Sequence, residues 1–453
     1  MMKKYSKIGI VGGGPAGYAL ALKLAMGGCF VLLFEKEKLG GTCLNKGCIP
    51  TKSILHNTNL IYKTKNLSKF GLKIDDSEFD FSKITDNKNS TVEKLNKSLG
   101  NLLKSYDIDV KTEKVTSVST GKISTQSEDY EVDAVVIATG TIPAQIKALP
   151  CDNEFVMNSD GILNLEKLPQ SIAIIGSGAI GIEWSRIFSD LGVEVTLIEA
   201  MENILPVADI DVSARVERLL KKKRVKIEKN TFVENIENNQ LKLSNGKMLS
   251  PEKVLVAIGR QPVLPNSKEE FKTKKGFLCV DDNFMTNVED VYAIGDINGL
   301  SMLAHSATHQ AIELAEYLLN GTSPKFLQKD VPSVIYGVPE VAWFGALEQN
   351  LIKNAQEYKK IMFPVSAVGK AHTDEEIDGF VKILVDGEKI LGTSIVAPEA
   401  SAMLMQLLIA KENNLPYCAI LKAIFPHPTF SEAVFEALLA LENSSLSLPK
   451  SKE

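Results

Sequence analysis

The stretch IGIVGGGPAG, residues 8–17, decides how the beginning of this chain folds. Ile8 to Val11 form a short apolar strand pattern, and the residues after the glycines continue as a helical pattern to Met26. A glycine-rich turn between a strand and a helix lets the backbone approach a pyrophosphate, and the amides at the helix N-terminus can bind its charge. The stretch therefore predicts a βαβ unit that binds a dinucleotide.

Three glycines of this turn have separate predicted roles. Gly12 permits the tight turn, Gly14 lets the backbone approach the pyrophosphate, and Gly17 lets the helix pack close to the strand. A second apolar strand pattern follows at 30–34 and ends on Glu35, whose carboxylate can bind ribose hydroxyls. A lone glycine motif is a weak signal, but strand, helix, strand and acid in this order indicate a nucleotide site.

The same pattern returns in IAIIGSGAIG, residues 172–181. It continues as a helical pattern to about Leu191 and a strand pattern at 194–198 that ends on Glu199. The last glycine precedes the acid by 18 residues in both copies (17 to 35 and 181 to 199). Since chance glycine turns would not reproduce this spacing, the chain is predicted to carry two dinucleotide sites.

The acid of the second copy also indicates which nicotinamide nucleotide binds. Glu199 would accept hydrogen bonds from a ribose diol but repel a 2′-phosphate. The next residues, Ala200, Met201 and Glu202, supply no arginine that could bind such a phosphate. NAD is therefore predicted over NADP.

Residues 40–53, GGTCLNKGCIPTKS, contain two cysteines five positions apart. A regular helix would separate their Cα atoms by about 8 to 9 Å, whereas a disulfide needs them within about 7 Å. A bonded pair of Cys43 and Cys48 therefore requires a loop or a distorted first turn, which the neighbouring glycines allow. Zinc would need two further ligands, and only His56 is near. A redox pair, two packing residues and a metal site all remain open at this point.

The composition is that of an ordinary soluble globular chain. Its 453 residues are 44% hydrophobic, enough for two or three domains with buried cores. With a net charge of −5, the chain has no excess of positive charge that would favour binding to nucleic acid or to an anionic membrane. A small molecule or a protein is therefore the expected partner. Six cysteines are too few for a disulfide-stapled secreted scaffold, which predicts a reducing compartment such as the cytoplasm.

The chain resembles the two-cysteine flavoprotein disulfide reductases, and among them most of all the dihydrolipoamide dehydrogenases. The resemblance rests on the two glycine loops, on the cysteine segment and on shorter motifs that follow in the family's order. These motifs are Ala138-Thr139-Gly140, Ala257-Ile258-Gly259-Arg260, Tyr292-Ala293-Ile294-Gly295-Asp296 and His427-Pro428-Thr429-Phe430-Ser431-Glu432. Each is short by itself, but their order and spacing over residues 8–441 make the resemblance specific.

The resemblance implies FAD in the first nucleotide site and NAD in the second. It places Lys52 near the flavin ring, Asp296 at the ribityl-pyrophosphate stretch, and Glu183 in a pair with the lysine near the nicotinamide. The implied FAD residues are Gly12, Gly14, Gly17, Glu35, Lys36, Lys52, Thr139, Gly140, Asp296 and Ala304. The implied NAD residues are Gly176, Gly178, Gly181, Glu183, Glu199, Gly259 and Arg260.

Four catalytic residues are also implied by the resemblance. Cys43 would be the interchange thiol and Cys48 the thiol facing the flavin, in a disulfide that oxidises dihydrolipoyl groups. His427 would deprotonate the substrate thiols, a task that suits a residue type titrating near neutral pH, and Glu432 would orient it. The electrons would pass through FAD to NAD+, giving NADH, and no metal is expected.

The implied fold class is α/β, with two Rossmann-like domains and a C-terminal α+β dimerisation domain. The FAD domain would cover residues 1–145 and 271–325, the NAD domain 146–270, and the interface domain 326–453. In the family the last domain forms a homodimer in which His427 reaches the cysteine pair of the other subunit. The implied partners are lipoyl domains of a 2-oxoacid dehydrogenase or glycine-cleavage complex.

Two other functions stay open. A glutathione reductase-like enzyme would run related chemistry from NADPH, although Glu199 disfavours it. A mainly structural FAD-bound subunit of a 2-oxoacid dehydrogenase complex is the other alternative, although the intact cysteine pair disfavours it. Phe425, the stretch 306–309 and Gly337-Val338 depart from the dihydrolipoamide dehydrogenase pattern, and these departures bear on the substrate channel and the dimer.

Overall fold

The computed structural model of the protein describes residues 5–64, 71, 79–337 and 339–449. Its α-helices are numbered in chain order: Pro15–Met26 (α1), Gly41–Lys46 (α2), Cys48–Thr64 (α3), Phe81–Ser105 (α4), Ala179–Asp190 (α5), Ile210–Lys222 (α6), Ala304–Asn320 (α7), Glu348–Lys353 (α8), Gly369–Thr373 (α9), Ala400–Glu412 (α10) and Glu432–Leu441 (α11). Within the described ranges, no helix combines the length and the apolar character needed to cross a membrane.

The strands are numbered in the same way. They are Lys7–Val11 (β1), Phe30–Phe34 (β2), Asp109–Lys111 (β3), Ser117–Ser119 (β4), Lys122–Ser124 (β5), Asp129–Glu131 (β6), Ala134–Ile137 (β7), Thr141–Pro143 (β8), Val156–Met157 (β9), Ser171–Ile175 (β10), Glu194–Ile198 (β11), Lys226–Glu228 (β12), Val233–Glu237 (β13), Gln240–Leu243 (β14), Met248–Leu249 (β15), Lys253–Val256 (β16), Arg260–Pro262 (β17), Asn266–Ser267 (β18), Thr273–Lys274 (β19), Phe277–Leu278 (β20), Val291–Ala293 (β21), Ser333–Ile335 (β22), Glu340–Gly345 (β23), Lys359–Pro364 (β24), Phe380–Asp386 (β25) and Lys389–Ala397 (β26).

The first glycine loop belongs to a parallel sheet with the strand order β21-β7-β1-β2-β3. In this sheet Ile8 of β1 lies opposite Val31 of β2 and Ala134 of β7. Apolar residues on both faces of the sheet are buried, which explains why β1, β2 and β7 read as continuous apolar runs. β21 joins this sheet although it follows the second sheet in the chain, so the chain returns to its first domain after building the second.

The second glycine loop belongs to another parallel sheet, with the order β12-β11-β10-β16-β9. The predicted strand at 194–198 has these bounds in the structure, and the helix expected to reach about Leu191 ends at Asp190. A three-stranded antiparallel sheet, β13-β14-β15, extends this domain. The two parallel sheets thus repeat one βαβ arrangement, as the paired sequence motifs predict.

Two glycines are required where the helix after each loop meets its strand. A Cβ atom at Gly17 would lie 1.8 Å from the carbonyl oxygen of Gly12, and a Cβ atom at Gly181 would lie 1.9 Å from that of Gly176. Carbon and oxygen cannot approach so closely, and backbone atoms cannot move aside as a flexible side chain can. Both helices therefore need glycine at these positions to begin directly beside the strand that precedes them.

The C-terminal domain is built on an antiparallel sheet with the order β22-β23-β26-β25-β24. α10 packs against β23 and β26, while α11 packs against β24 and β25. The loop before α11 carries His427, and α11 itself begins with Glu432. Together with the two parallel sheets, this domain agrees with the predicted α/β class with an α+β C-terminal domain.

Lys382 of β25 forms ion pairs that connect the C-terminal domain to the second nucleotide domain. Its side chain is 1% exposed, and its Nζ lies 2.7 Å from Asp209 Oδ1 and 2.6 Å from Asp211 Oδ2. Glu348 Oε2 lies 2.5 Å from the same nitrogen. Asp209 also caps α6 by accepting from the Asp211 amide. The three carboxylates come close enough to ligate a cation, and the Lys382 ammonium lies among them.

Replacing Lys382 with methionine is expected to destabilise the protein, because three carboxylates would lose the cation among them. Removing one partner from a buried ionic group costs about 3 to 5 kcal/mol, which corresponds to a Tm lower by roughly 10 °C for a domain of this size. Thermal unfolding followed by circular dichroism measures the change. Lys360→Met is the matched control, since its side chain is 42% exposed and pairs with the same Glu348. Equal Tm shifts for the two variants would contradict this interpretation.

Candidate active site

A cleft of about 1550 Å³ runs between the first nucleotide domain, α4 and the start of α5. This volume exceeds that of an ordinary small-molecule pocket, about 300 to 1000 Å³, and is large enough for a dinucleotide. Its walls contain most of the implied FAD residues and both cysteines. They include Gly12, Gly14, Glu35, Lys36, Cys43, Cys48, Lys52, Thr139, Gly140, Glu183, Arg260, Asp296 and Ala304.

The first glycine loop lies against the cysteine segment. A Cβ atom at Gly41 would be 2.7 Å from the Cα atom of Gly14, so the two backbones meet where neither has a side chain. The Glu35 carboxylate is fixed against this loop by two hydrogen bonds. One of its oxygens accepts from the Gly13 amide and the other from the Glu37 amide, each at 2.9 Å. Its remaining lone pairs face an open cleft and fit ribose hydroxyls.

Glu199 holds the second glycine loop in the same way. Its Oε2 accepts from the amide and the hydroxyl of Ser177, and its Oε1 accepts from the Met201 amide at 2.9 Å. Gly178 and Gly259 border open space beside this loop, since a Cβ atom at either would meet no described heavy atom within 4 Å. This surface can approach a pyrophosphate, while the fixed negative charge of Glu199 disfavours a 2′-phosphate.

The cysteine segment is a broken pair of helices. Gly40, just before α2, and Gly41, its first residue, take positive φ values of 92° and 56°. α2 ends at Lys46, and Gly47 separates it from Cys48, where α3 begins. The break replaces the regular helix that would hold the sulfur atoms apart. The Cys43 thiol consequently reaches the Cys48 sulfur in a hydrogen bond, and both cysteines are thiols in this structure.

This hydrogen bond separates the acidities of the two thiols. It is the largest cause that lowers the pKa of Cys48 to about 7, burial opposes it, and the charge of Lys52 supports it. The same bond, together with burial, raises the pKa of Cys43 well above its usual range. When the pair loses its first proton, near neutral pH, the remaining proton stays on Cys43 and Cys48 becomes the thiolate.

Lys52 and Glu183 form an ion pair across the boundary between the two nucleotide domains. Lys52 lies one turn after Cys48 on α3, and its Nζ donates to both carboxylate oxygens of Glu183 on α5, at 2.8 and 2.7 Å. The Glu183 side chain is 5% exposed. This pair places a positive and a negative charge at the end of the cleft that holds the cysteines.

Thr141, which the sequence analysis did not predict as a site residue, links Arg260 to Asp296 by hydrogen bonds. The Thr141 hydroxyl donates to Asp296 Oδ2 at 2.8 Å and accepts from Arg260 Nε at 2.7 Å. Burial raises the pKa of Asp296. Arg260, which the resemblance assigns to NAD, thus lies in the wall of the first cleft in this structure. Its position follows from the antiparallel pairing of β17 with β8, which connects the two nucleotide domains.

Two asparagines also support the cysteine segment. Asn45 Nδ2 donates to the carbonyl oxygens of Leu39 and Gly41 at 2.8 and 3.0 Å, and Asn96 Nδ2 donates to Leu39 at 2.6 Å. Asn45 could have been noticed, because it stands between the cysteines within the quoted motif. Asn96 lies on α4 with no sequence signal, since only the packing of α4 brings it to this loop.

His427 and Glu432 form a pair of their own on the C-terminal domain. His427 Nδ1 lies 2.8 Å from Glu432 Oε1, and the Thr429 amide donates to Glu432 Oε2 at 2.9 Å. The His427 side chain is 74% exposed. The structure does not bring this pair to the cysteines of its own chain, because neither residue lines the cleft described above.

The departures from the family pattern lie at the edges of this site. The Phe425 ring packs on Phe435 of α11 with centroids 5.1 Å apart, and so helps hold the loop of His427. Ser306 is buried in α7, where its hydroxyl accepts from Gln310 at 3.4 Å. Gly337 takes an extended conformation with φ 158°, and Val338 lies outside the described residues.

Comparison with known proteins gives matches over nearly the whole chain. Residues 6–311 match the pyridine nucleotide-disulphide oxidoreductase family, and residues 331–438 match its dimerisation domain. A dihydrolipoyl dehydrogenase of Bacillus subtilis is 36% identical, covering 96% of this chain and 98% of its own length. One of Chlamydia pneumoniae is 33% identical, covering 97% and 98%.

Solved structures with the same fold include two bacterial proteins. LpdA from Mycobacterium tuberculosis superposes with a TM-score of 0.89 over 96% of this chain and 99% of its own, and its 23% identity shows the fold alone. The HOCl-induced flavoprotein disulfide reductase RclA from Escherichia coli is 26% identical, with a TM-score of 0.85 over 95% and 99%. These matches confirm the fold class predicted from the sequence.

Proposed function

Because this chain belongs to the pyridine nucleotide-disulphide oxidoreductase family, we propose that it is a dihydrolipoyl dehydrogenase, which oxidises dihydrolipoyl groups and reduces NAD+ to NADH. The observation that carries this proposal is the hydrogen-bonded thiol pair Cys43 and Cys48 in the same cleft as the Lys52–Glu183 ion pair. A thiol pair alone could exchange disulfides, but the nucleotide cleft beside it provides a route for the electrons.

The residues of the large cleft fit FAD, and those of the second loop fit NAD. The contact of Gly14 with Gly41 leaves a backbone surface for a pyrophosphate, and Glu35 offers free lone pairs for a ribose. Lys52 and Glu183 would face the flavin and the nicotinamide. When bound, FAD supplies a two-electron relay between a dithiol and a nicotinamide.

The protein residues carry out thiol exchange. His427 of the partner subunit accepts the proton of one substrate thiol, and the resulting thiolate attacks Sγ of Cys43 in the Cys43–Cys48 disulfide. The disulfide bond breaks and Cys48 leaves as a thiolate, which the positive charge of Lys52 favours. The second substrate thiol then attacks the substrate sulfur of the mixed disulfide, the bond to Cys43 breaks, and the proton of this thiol passes to the Cys43 sulfur. The substrate leaves as a cyclic disulfide, and its two electrons remain on the cysteine pair.

The dimerisation domain at 331–438 supports a homodimer. The His427–Glu432 pair is exposed and does not line the cleft that holds the cysteines of its own chain. This position fits a site in which His427 reaches the cysteine pair of the other subunit. Lipoyl domains of a 2-oxoacid dehydrogenase or glycine-cleavage complex are the proposed protein partners, and the cytoplasm is the proposed location.

Steady-state assays of the purified holoenzyme test the proposed function. We expect NAD+ reduction by dihydrolipoamide, with kcat/KM for NAD+ at least about 100-fold above that for NADP+, since like charges in contact cost several kcal/mol. Turnover of glutathione disulfide with NADPH would replace the proposal by a glutathione reductase-like function. A dimer that binds FAD but turns over neither pair would indicate a structural subunit.

A further inference from the structure

Tyr336 lies where the three domains of one chain meet. It directly follows β22 of the C-terminal sheet, and its backbone amide donates to Glu183 Oε1 at 3.0 Å. Its ring lies under the Lys52 ammonium, with Nζ 5.0 Å from the ring centroid. One residue of the C-terminal domain thus contacts both members of the ion pair that joins the two nucleotide domains.

The two contacts restrain the ion pair unequally. Glu183 is almost completely buried and its Oε1 accepts from both Lys52 and the Tyr336 amide, so its carboxylate is fixed on several sides. The Lys52 side chain is 32% exposed and has the flexible stem of a lysine. The aromatic face covers part of its ammonium and attracts it, which keeps the charge in place.

We propose that Tyr336 is a positioning residue for the cysteine pair, whose ring holds the Lys52 ammonium between Glu183 and Cys48 so that the thiolate of Cys48 is favoured. The role in turnover rests on the proposed function, whereas the effect on the thiol does not. A loss of the ring would leave the buried Glu183 where it is and would weaken the restraint on the lysine alone.

The sign of the expected change follows from the groups around Cys48. Cys43 on α2 donates a hydrogen bond, Lys52 on α3 lowers the pKa of Cys48, and Glu183 on α5 raises it. Tyr18 on α1 and Tyr336 are the phenols that interact electrostatically with Cys48. If Lys52 moves into solvent, the charge of Glu183 is less opposed, and the pKa of Cys48 rises.

The test measures the reactivity of Cys48 directly in the reduced, full-length holoenzyme. Iodoacetamide alkylation of Cys48 is followed against pH by peptide mass spectrometry in Tyr336→Leu, Tyr336→Phe and the parent. We expect Tyr336→Leu to move the midpoint up by about half a pH unit, as loss of a cation–π contact predicts, and this slows alkylation at pH 7 about twofold. Tyr336→Phe keeps both the ring and the backbone amide and should retain the parent profile.

Superimposable profiles for Tyr336→Leu and the parent would overturn the proposal, and so would an equal shift in Tyr336→Phe. Tyr336→Met carries the same expectation as the leucine variant and is used if that variant does not retain its flavin and its circular dichroism spectrum. Failure of the parent to reduce NAD+ with dihydrolipoamide would instead refute the proposed function, without changing the alkylation result.

Discussion

Replacing Cys48 with serine should lower kcat for NAD+ reduction by dihydrolipoamide at least about a thousandfold, as loss of a residue that takes part in the chemical step does. A serine oxygen cannot form the disulfide that accepts the substrate's electrons. Cys48 is also the thiol that ionises near neutral pH, so the leaving group of the exchange step would be lost as well.

The control for this variant is Cys279→Ser, because Cys279 lies outside the cleft that holds the cysteine pair. It should turn over at the parent rate. Both proteins are compared by flavin absorbance and circular dichroism, so that loss of cofactor is not mistaken for loss of chemistry. A Cys48→Ser holoenzyme that reduced NAD+ at the parent rate would rule out the thiol-exchange scheme.

The second large effect is expected at His427. Its replacement by glutamine should lower kcat/KM for dihydrolipoamide by about a hundredfold to ten-thousandfold, the usual range for loss of a general base. The remaining activity should increase with pH, since hydroxide and solution bases can deprotonate the substrate thiol in place of the imidazole. His309→Gln is the control, because His309 is also exposed and pairs with a carboxylate, Glu313, on α7.

Hybrid dimers distinguish a base that acts within its own chain from one that acts on the other subunit. A dimer of one Cys48→Ser chain and one His427→Gln chain, purified with two affinity tags, contains one intact site if the base comes from the partner. We expect it to be far more active than either homodimer that carries a single substitution. An inactive hybrid would show that the His427–Glu432 pair serves its own chain.

Local sequence patterns predicted the nucleotide-binding elements well. The strands at 30–34 and 194–198 have the predicted bounds, and the two helices after the glycine loops end within a residue of expectation. These elements are encoded by consecutive residues, because apolar runs mark buried parallel strands and glycines mark the tight turns between strand and helix.

The surroundings of the cysteine pair were less predictable. Thr141 links Arg260 to Asp296, and Asn96 reaches the loop before Cys43, but neither residue stands in a motif that indicates such a contact. The placement of Arg260 in the first cleft also depends on the pairing of β17 with β8. Contacts of this kind follow from how elements pack, and many side chains of similar polarity would look equivalent in the sequence.

The sequence by itself determined that this protein has two dinucleotide-binding units and a cysteine pair whose segment cannot be a regular helix if the two sulfur atoms bond. The family resemblance implied that Lys52 pairs with Glu183, but only the tertiary structure decided how this ion pair, Tyr336 and the cysteines are arranged. Lys52 and Glu183 are 131 positions apart, and Tyr336 is a further 153 positions beyond Glu183. Their meeting depends on the packing of three domains against one another, and no local periodicity encodes that packing. The acidity of Cys48 therefore belongs to the assembled site, whereas the glycine loops belong to the local chain.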